Sequence, residues 1–407
     1  MKGLCVLKKL LLRFSLLLWG LSLGVLGDEL RDFLSEEKQH LFGYEYQNNA
    51  LQSDILQKSW INPVMVQYTR SYSEQMRGER TQTGSFSIGI DQPIFKSGGI
   101  YFAIKYAEAL RGANEAEITL KKREMIGRGV ELLFEMKKLK LEQRKIALLI
   151  QNDKLDIIQK KERYHAGVSD SSLLDQAILK ANQDEIQKLQ LEISSLELEK
   201  QFALLSDSNP HTLKLPTLKL ISLETYRKNN LALQRDRLRI EEKHYSAKMA
   251  WTKYLPTVSV QGRYTDADLN PLFARPGLEE RYNTYGFTIS MPLSFNALAD
   301  VEASKVAHLK AQSTFIEQQE AIGLEYALLK KRLGFIDRKI ALARRDKALY
   351  QNLYTTTKNL AQAGEKTSSD VAIMRNSLQI RKLNIQIYNL EKQIELLGLY
   401  TKVSNAV

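Results

Sequence analysis

The chain has 407 residues, of which 43% are hydrophobic and 26% charged, with a formal net charge of +12 and a single cysteine. Cys5 lies inside a leader segment that we expect to be removed, and too near its start to be a lipid-attachment site. We therefore expect no disulfide, thiol chemistry or lipid anchor of that kind in the mature protein. Beyond the first 27 residues no apolar run approaches the roughly 20 residues of a membrane-spanning helix, so further contact with a bilayer is expected to use strands.

Residues 1–27 predict a cleaved secretory signal peptide. Four basic residues come before an apolar run over residues 14–26: Lys2, Lys8, Lys9 and Arg13. An uncleaved membrane anchor is the alternative, although the run is short for a span of about 20 residues. Removing the signal lowers the net charge to about +8, spread over long helices of mixed charge, so nucleic-acid binding is not indicated.

The mature sequence is an internal repeat. Similar segments surround three pairs of residues, at offsets of 193, 199 and 197: Pro63 with Pro256, Pro93 with Pro292, and Gly167 with Gly364. The first repeat is expected to cover 28–205 and the second 222–402, with a proline-broken linker at 206–221. Each copy predicts a leading helix, two strands, a very long helix, a sharp break (165–172 and 363–370) and a return helix.

The four predicted strands are amphipathic. They are expected at about 62–73, 82–92, 256–265 and 282–293, with apolar residues alternating with small polar ones. A length of about 9 to 11 residues with this period is typical of a transmembrane barrel strand, although a half-buried soluble strand alternates in the same way.

Aromatic residues flank these strands and favour the membrane interpretation. Five of them predict an aromatic girdle at one membrane surface: Trp60, Trp251, Tyr254, Phe95 and Phe295. Because single-chain barrels begin at about eight strands, four strands require several copies of the chain to close a barrel.

Two proline-free intervals, 98–164 and 298–363, predict helices that would extend roughly 100 Å each. Apolar residues recur every three or four positions among charged ones, so each helix can bury only a stripe and needs neighbours along its length. The return helices, 173–205 and 371–399, can supply part of this packing. An elongated coiled coil without a channel is the plain alternative.

The twofold repeat, the proline-flanked strand pairs and the glycine-centred breaks resemble the TolC-like outer-membrane factor (outer membrane efflux protein) family over essentially the whole mature chain. The resemblance implies an α+β membrane protein. Long α-helical hairpins would form an α-barrel, and four transmembrane β-strands per chain would contribute to a trimeric 12-stranded β-barrel.

The resemblance also implies a function and partners. It implies an outer-membrane channel subunit of a tripartite efflux or type I secretion system in a Gram-negative bacterium, acting as a homotrimer with its tunnel in the periplasm. A periplasmic adaptor (membrane fusion) protein and an inner-membrane RND or ABC pump would be its partners. We expect no catalytic activity, cofactor or metal site, because the five histidines are scattered in the sequence. A structural periplasmic coiled-coil or adaptor protein without a pore is the alternative.

In similar proteins the second helical break carries an acidic ring, and Asp370 matches that position, six residues after Gly364. Ile373 stands where a second acid would be expected, so a double acidic constriction is not predicted. The predicted periplasmic gate consists of Asp370, Ser369 and Asp175. The predicted adaptor-docking tips consist of Ala166, Gly167, Val168 and Gly364. Simple helix capping would explain the same residue types.

Overall fold

The computed structural model describes residues 33–76, 79–268 and 277–404, and the predicted signal peptide lies outside them. In chain order the elements are α1 (Glu36–Lys58), β1 (Met65–Met76), β2 (Glu79–Phe95), α2 (Gly99–His165), α3 (Ser171–Ala203), α4 (Leu223–Lys228), α5 (Leu231–Thr252), β3 (Thr257–Ala267), β4 (Arg281–Ser290), α6 (Ala297–Gln362) and α7 (Ser368–Tyr400). Among these described residues, no helix combines the length and the apolar character needed to cross a membrane.

Prolines set two of the strand boundaries. β4 ends at Ser290, whereas the sequence predicted a strand to 293; Pro292 has no backbone N–H to donate to a ladder. β2 was predicted to end at 92 but continues to Phe95. Pro93 does not end the strand, because it lies where the pairing with β3 shifts register and a missing N–H is tolerated. The leading helix of the second half is divided into α4 and α5, and between them Asn230 forms an isolated bridge to Val403.

The chain forms two compact units, and neither coincides with one sequence repeat. The sheet unit consists of His40–Lys121 and Leu231–Gly323. The helical unit consists of Lys122–Asn230 and Leu324–Val407, together with the residues up to Gln39. Each unit therefore takes segments from both halves of the sequence.

In the sheet unit the four strands form one antiparallel sheet in the order β1-β2-β3-β4. Beside it, buried polar side chains of α1 bond the backbone of α2. Asn49 Nδ2 donates to the Arg111 carbonyl at 3.0 Å, and Ser53 Oγ donates to the Ala107 carbonyl at 3.2 Å. Because these side chains are small and satisfied, the two helices can pack closely without leaving a buried polar group unpaired.

Charged residues join α5 to α2 in the same unit. Arg239 donates to Glu117 at 2.8 Å and to the buried Glu242 at 3.1 Å. The hydrogen bond from Arg239 is the main reason why the pKa of Glu117 lies below its ordinary value. The leading and long helices are therefore held together by specific polar contacts as well as by apolar packing.

In the helical unit, glycines on α2 allow distant segments to approach closely. A Cβ atom at Gly129 would lie 2.1 Å from Phe33 Cε1, and one at Gly127 would lie 2.0 Å from Thr401 Cγ2. The buried Phe33 ring also packs edge-on against Phe202, with centroids 5.7 Å apart. Here α2 contacts segments from both ends of the described chain.

A hydrogen bond also joins α2 to the end of the described chain. The Arg123 guanidinium donates to the carbonyl of Ser404 at 2.7 Å, across 281 residues of sequence. Burial of this guanidinium lowers its pKa from the ordinary arginine value. The first half of the sequence is thus fixed to the second at the end of α7.

We expect Gly129→Ala to destabilise the protein by about 1–3 kcal/mol, because the buried Phe33 ring cannot move away from the added methyl group. Gly43→Ala is the control. It lies in α1 with no atom within 4 Å of the added Cβ, and should stabilise the helix by about 0.5–1 kcal/mol. Midpoints of unfolding followed by circular dichroism measure both effects; equal shifts would contradict the proposed close approach.

Candidate functional site

One face of the sheet is polar. Strand pairing places Gln67 opposite Ser87, Thr69 opposite Ser85, and Gly89 opposite Arg263, all on the same face. These and neighbouring side chains line a groove that runs across all four strands; its lining also includes Asp91, Gln261, Thr265, Thr284 and Gly286. Most members are small, so a concave sheet would leave room along this face.

The opposite face is apolar and exposed. Val66 pairs with Ile88, and Ile88 with Tyr264, so the apolar residues of both sequence halves fall in common rows. The set comprises Val66, Tyr68, Tyr72, Phe86, Ile88, Ile90, Val260, Tyr264, Tyr285, Phe287 and Ile289, with exposed fractions from 36% to 79%. A continuous exposed apolar surface of this kind marks a contact with lipid or with another protein.

Charged residues bound this apolar face on the side of the strand turns. Arg281 pairs with Asp266 at 3.1 Å, and Arg80 pairs with Glu74 at 3.8 Å. From the row of Phe86 to the row of Phe95 the strand extends about 30 Å, which gives a band about 20–25 Å tall if the strands tilt by about 45°. This height is close to the apolar band of about 25 Å on outer-membrane barrels.

The five predicted girdle residues all belong to the sheet unit, at the ends of strands or beside them. Trp251 and Phe95 are about half exposed, and Phe295 is fully exposed. Trp60 and Tyr254 are half-buried, and Tyr254 Oη donates to Asp300 at 2.7 Å. The girdle itself stays a prediction.

The two helical breaks share one backbone design. We call residues 166–170 the first tip and residues 363–367 the second tip. Gly167 and Gly364 have φ angles of +71° and +84°. After each glycine the chain donates back to the preceding helix, with Val168 N bonding the Arg163 carbonyl at 3.0 Å and Glu365 N bonding the Leu360 carbonyl at 2.9 Å. This is the Schellman motif, which ends a helix at a left-handed glycine.

At the first tip, Ala166, Gly167 and Val168 are exposed, and Val168 reaches 77% exposure. Asp170 then caps α3 by accepting from Ser172 N, and this backbone hydrogen bond is the main cause that lowers its pKa. Asp175 is exposed in the second turn of α3. The first tip therefore presents an apolar side chain to solvent.

At the second tip, Asp370 forms a capping box with Thr367. Asp370 N donates to Thr367 Oγ1 at 3.1 Å, and Thr367 N donates to the Asp370 carboxylate at 3.0 Å. The backbone bond from Thr367 is the largest cause that lowers the pKa of Asp370, so this carboxylate remains ionised below the ordinary range. Ser369, next to it, is half-buried.

The second carboxylate oxygen of Asp370 accepts from Gln159 Nε2 of α2 at 3.0 Å. Sequence reasoning missed Gln159, because 211 residues separate the two side chains and no local pattern connects them. It also missed Thr367, although Thr-x-x-Asp is a recognisable capping signal. Asp370 is therefore structurally occupied, whatever further role it has.

The structure also brings together two histidines that looked scattered in the sequence. His244 of α5 and His308 of α6 both belong to the sheet unit, and their ring centroids lie 5.4 Å apart. Within the described residues there is no cluster of three or more histidine, cysteine, aspartate or glutamate side chains suited to a metal ion.

Solved structures of outer-membrane proteins share this fold. The outer membrane protein VceC from Vibrio cholerae has a TM-score of 0.73 at 14% identity, covering 91% of this chain and 94% of its own. The CmeC outer membrane channel from Campylobacter jejuni has a TM-score of 0.71 at 13% identity, covering 91% and 83%. The MtrE outer membrane channel from Neisseria gonorrhoeae has a TM-score of 0.64 at 11% identity, covering 90% and 86%.

No protein-family model matches the sequence, and a comparison with curated proteins gives no match. The TM-scores of 0.64–0.73 establish the fold, and identities of 11–14% limit the conclusion to the fold. The predicted fold class, long helical hairpins with four antiparallel strands per chain, is confirmed. The resemblance to the TolC-like family is likewise confirmed as a likeness of fold.

We expect Thr367→Ala to expose the first turn of α7, at a cost of about 1 kcal/mol, because the mutation removes the cap that Asp370 N uses. Hydrogen exchange of the amides at 368–372 should rise. Thr367→Ser keeps the hydroxyl and should leave exchange nearly unchanged; equal exchange in the two variants would argue against the cap.

The same amides report on pH. The pKa of Asp370 is lower in the folded protein than in the unfolded chain. The stability that its ionised form adds is therefore fully present above the ordinary aspartate pKa of about 3.9, and it is lost as the pH falls through the folded-state pKa. Protection of the first turn should therefore persist at pH 5. Loss of protection already between pH 7 and 5 would contradict this assignment.

Proposed function

We propose that this chain is the outer-membrane channel subunit of an efflux or type I secretion system, which gives substrates passive exit from a periplasmic tunnel to the cell exterior. The observation that carries the proposal is the sheet, which has one groove-like polar face and one exposed apolar face. Lipid on one side and an aqueous passage on the other would satisfy both faces. The likeness in fold to VceC, CmeC and MtrE supports this reading.

The sheet edges require other copies of the chain. Among the described residues, β1 pairs only with β2, and β4 pairs only with β3, so both outer edges have unpaired backbone groups. In lipid each unpaired group would cost several kcal/mol. Three copies of the four strands would provide twelve and close the barrel. Two copies would give eight strands, and side chains nearly fill the interior of a barrel of that size.

Apolar stripes on the helices support the same assembly. On α6, four exposed residues recur every seven positions: Leu328, Phe335, Leu342 and Leu349, with exposed fractions of 51%, 61%, 53% and 55%. On α3, Leu179, Ile186 and Ile193 recur in the same way, with exposed fractions of 62%, 57% and 58%. A seven-residue apolar repeat is typical of side-by-side helix packing, and neighbouring copies would cover both stripes.

A pore-free coiled-coil protein would also need covered stripes, but it would have no use for a sheet with one exposed apolar face. The sheet therefore favours the channel. No step of the proposed transport forms or breaks a covalent bond, so we assign no enzymatic activity and no cofactor. The channel would reside in the outer membrane of a Gram-negative bacterium.

The two tips are the proposed meeting point with a periplasmic adaptor, which would connect the channel to an inner-membrane RND or ABC pump. The exposed Val168 beside Gly167 offers an apolar contact, and the left-handed glycines hold both tips in tight turns. Gly364 gives the second tip the same backbone geometry as the first.

Asp370 is the proposed gate residue, with Ser369 beside it and Asp175 from α3. The cap lowers the pKa of Asp370 and so favours its ionised form, whereas repulsion between three copies near a common axis would act in the opposite direction. Such a ring would attract cations and exclude anions. The capping box restrains the carboxylate, so its position is set by the helix terminus.

We expect the mature protein extracted in detergent to be a trimer, and Leu342→Glu to shift it towards monomers, because the mutation places a charge in the exposed α6 stripe. Lys347→Glu introduces the same side chain on another face of α6 and should leave the trimer intact. Light scattering with detergent correction gives the mass of each variant. A freely soluble monomeric wild type would overturn the channel proposal.

We expect Asp370→Asn to reduce cation selectivity in planar bilayers, since the mutation removes three like charges from the proposed constriction while keeping a similar shape. Asp346→Asn, at an exposed position of α6, is the matched control. Reversal potentials under a salt gradient measure selectivity. Unchanged values in Asp370→Asn would remove the gate assignment without affecting the channel proposal.

A further inference from the structure

His244 and His308 come from different helices but face one another inside the sheet unit. Sixty-four residues separate them in the sequence, on α5 and α6. Their ring planes meet at 61°, with centroids 5.4 Å apart. Two imidazoles at this distance are too far apart for tight stacking, yet close enough to share one small ligand.

The separation matches joint binding of a metal ion. Metal–nitrogen bonds of about 2.0–2.1 Å and a tetrahedral angle place the centroids of two coordinated imidazoles about 5 Å apart. The observed 5.4 Å is within the adjustment that side-chain rotations allow.

His308 has a ring nitrogen that the protein leaves unused. Its Nδ1 atom is buried and has no hydrogen-bond partner, whereas its Nε2 atom lies 3.2 Å from the Gln312 side-chain amide. The Gln312 atom that faces Nε2 is the amide nitrogen, which donates to Nε2 and leaves the ring proton on Nδ1. Turning the amide over reverses both roles, so that Nε2–H donates to the amide oxygen and Nδ1 gains the free lone pair that a metal ion needs. This pattern, one nitrogen oriented by a neighbour and the other free, is typical of metal-binding histidines.

His244 is exposed, so water and small ions can reach it. Its ring also contacts the neighbouring Tyr245 edge-on, with centroids 5.5 Å apart, which restricts the orientation of the imidazole. One histidine of the pair is therefore accessible and the other partly buried and oriented.

The ligand set indicates the class of metal. Within the described part of the chain no third histidine, cysteine or carboxylate completes a cluster with this pair, so water would fill the remaining positions. The charged residues one helical turn from the pair are of both signs: Glu241 and Lys248 lie on either side of His244, and Lys305 precedes His308. Binding would thus depend on the imidazoles themselves, which favour Cu²⁺, Ni²⁺ and Zn²⁺ over Mg²⁺ and Ca²⁺.

We infer that His244 and His308 form a binding site for a divalent transition-metal ion, of which Cu²⁺ binds most tightly. The bound ion would cross-link α5 to α6. The order of affinities follows the general preference of nitrogen ligands, in which Cu²⁺ exceeds Ni²⁺ and Zn²⁺. The inference does not depend on the proposed channel function.

The test uses the full mature protein in detergent, purified without a histidine tag, and Cu²⁺ as the probe. Calorimetry should show one tight site per chain, and His244→Ala and His308→Ala should each weaken it at least about ten-fold, because a single imidazole remains. His211→Ala, at an exposed histidine of the interrepeat linker, is the control and should bind as the wild type does.

Electron paramagnetic resonance of the Cu²⁺ complex identifies the ligands directly. The wild type should show coupling to two imidazole nitrogens, and each single variant coupling to one. Gln312→Ala should weaken binding about ten-fold while retaining two-nitrogen coupling, because it removes only the group that orients His308. This variant keeps both histidines and thus distinguishes a positioning effect from loss of a ligand.

Circular dichroism and mass measurements should show that all variants keep the wild-type helical content and assembly. The inference is overturned if the wild type shows coupling to fewer than two nitrogens. It is equally overturned if the double variant of His244 and His308 binds Cu²⁺ as tightly as the wild type, which would mean an adventitious ion only.

Discussion

Pairing between β2 and β3 is the interaction on which the rest of the structure depends. It joins the two halves of the sequence into one sheet, with Ile88 opposite Tyr264 and Gly89 opposite Arg263. Because side chains alternate along a strand, a slip of one residue would place the apolar face of one half beside the polar face of the other. The observed register keeps the two faces separate across all four strands, and both the groove and the apolar band follow from it.

The fold could be read from the sequence where a pattern is local or repeated. Strand alternation, proline-free intervals and the recurrence of Gly167 as Gly364 predicted the elements and their order. Local patterns did not predict where β2 and β4 end, since a proline can be tolerated at a register shift, as Pro93 is, or terminate a strand, as before Pro292. The gate and the docking tips rest on resemblance and the girdle on the aromatic residues that flank the strands; all three stay predictions.

The functional detail that the sequence could not provide comes from contacts between distant residues. Gln159 reaches Asp370 across 211 residues, and His308 meets His244 only because α5 and α6 lie side by side in the sheet unit. Neither pairing leaves a periodic signal in one sequence. Asp370 shows why such contacts matter, since the carboxylate chosen from resemblance also accepts a hydrogen bond from a side chain of another long helix.

The fixation of α2 to the end of α7 has a consequence for biosynthesis. Arg123 and Gly127 find their partners at Ser404 and Thr401, so the helical unit cannot be completed while ribosomes are still producing the second half. Until then, the surface of α2 around Gly127 stays uncovered. A chain that stopped short of Thr401 would therefore lack the residues that close the helical unit against α2.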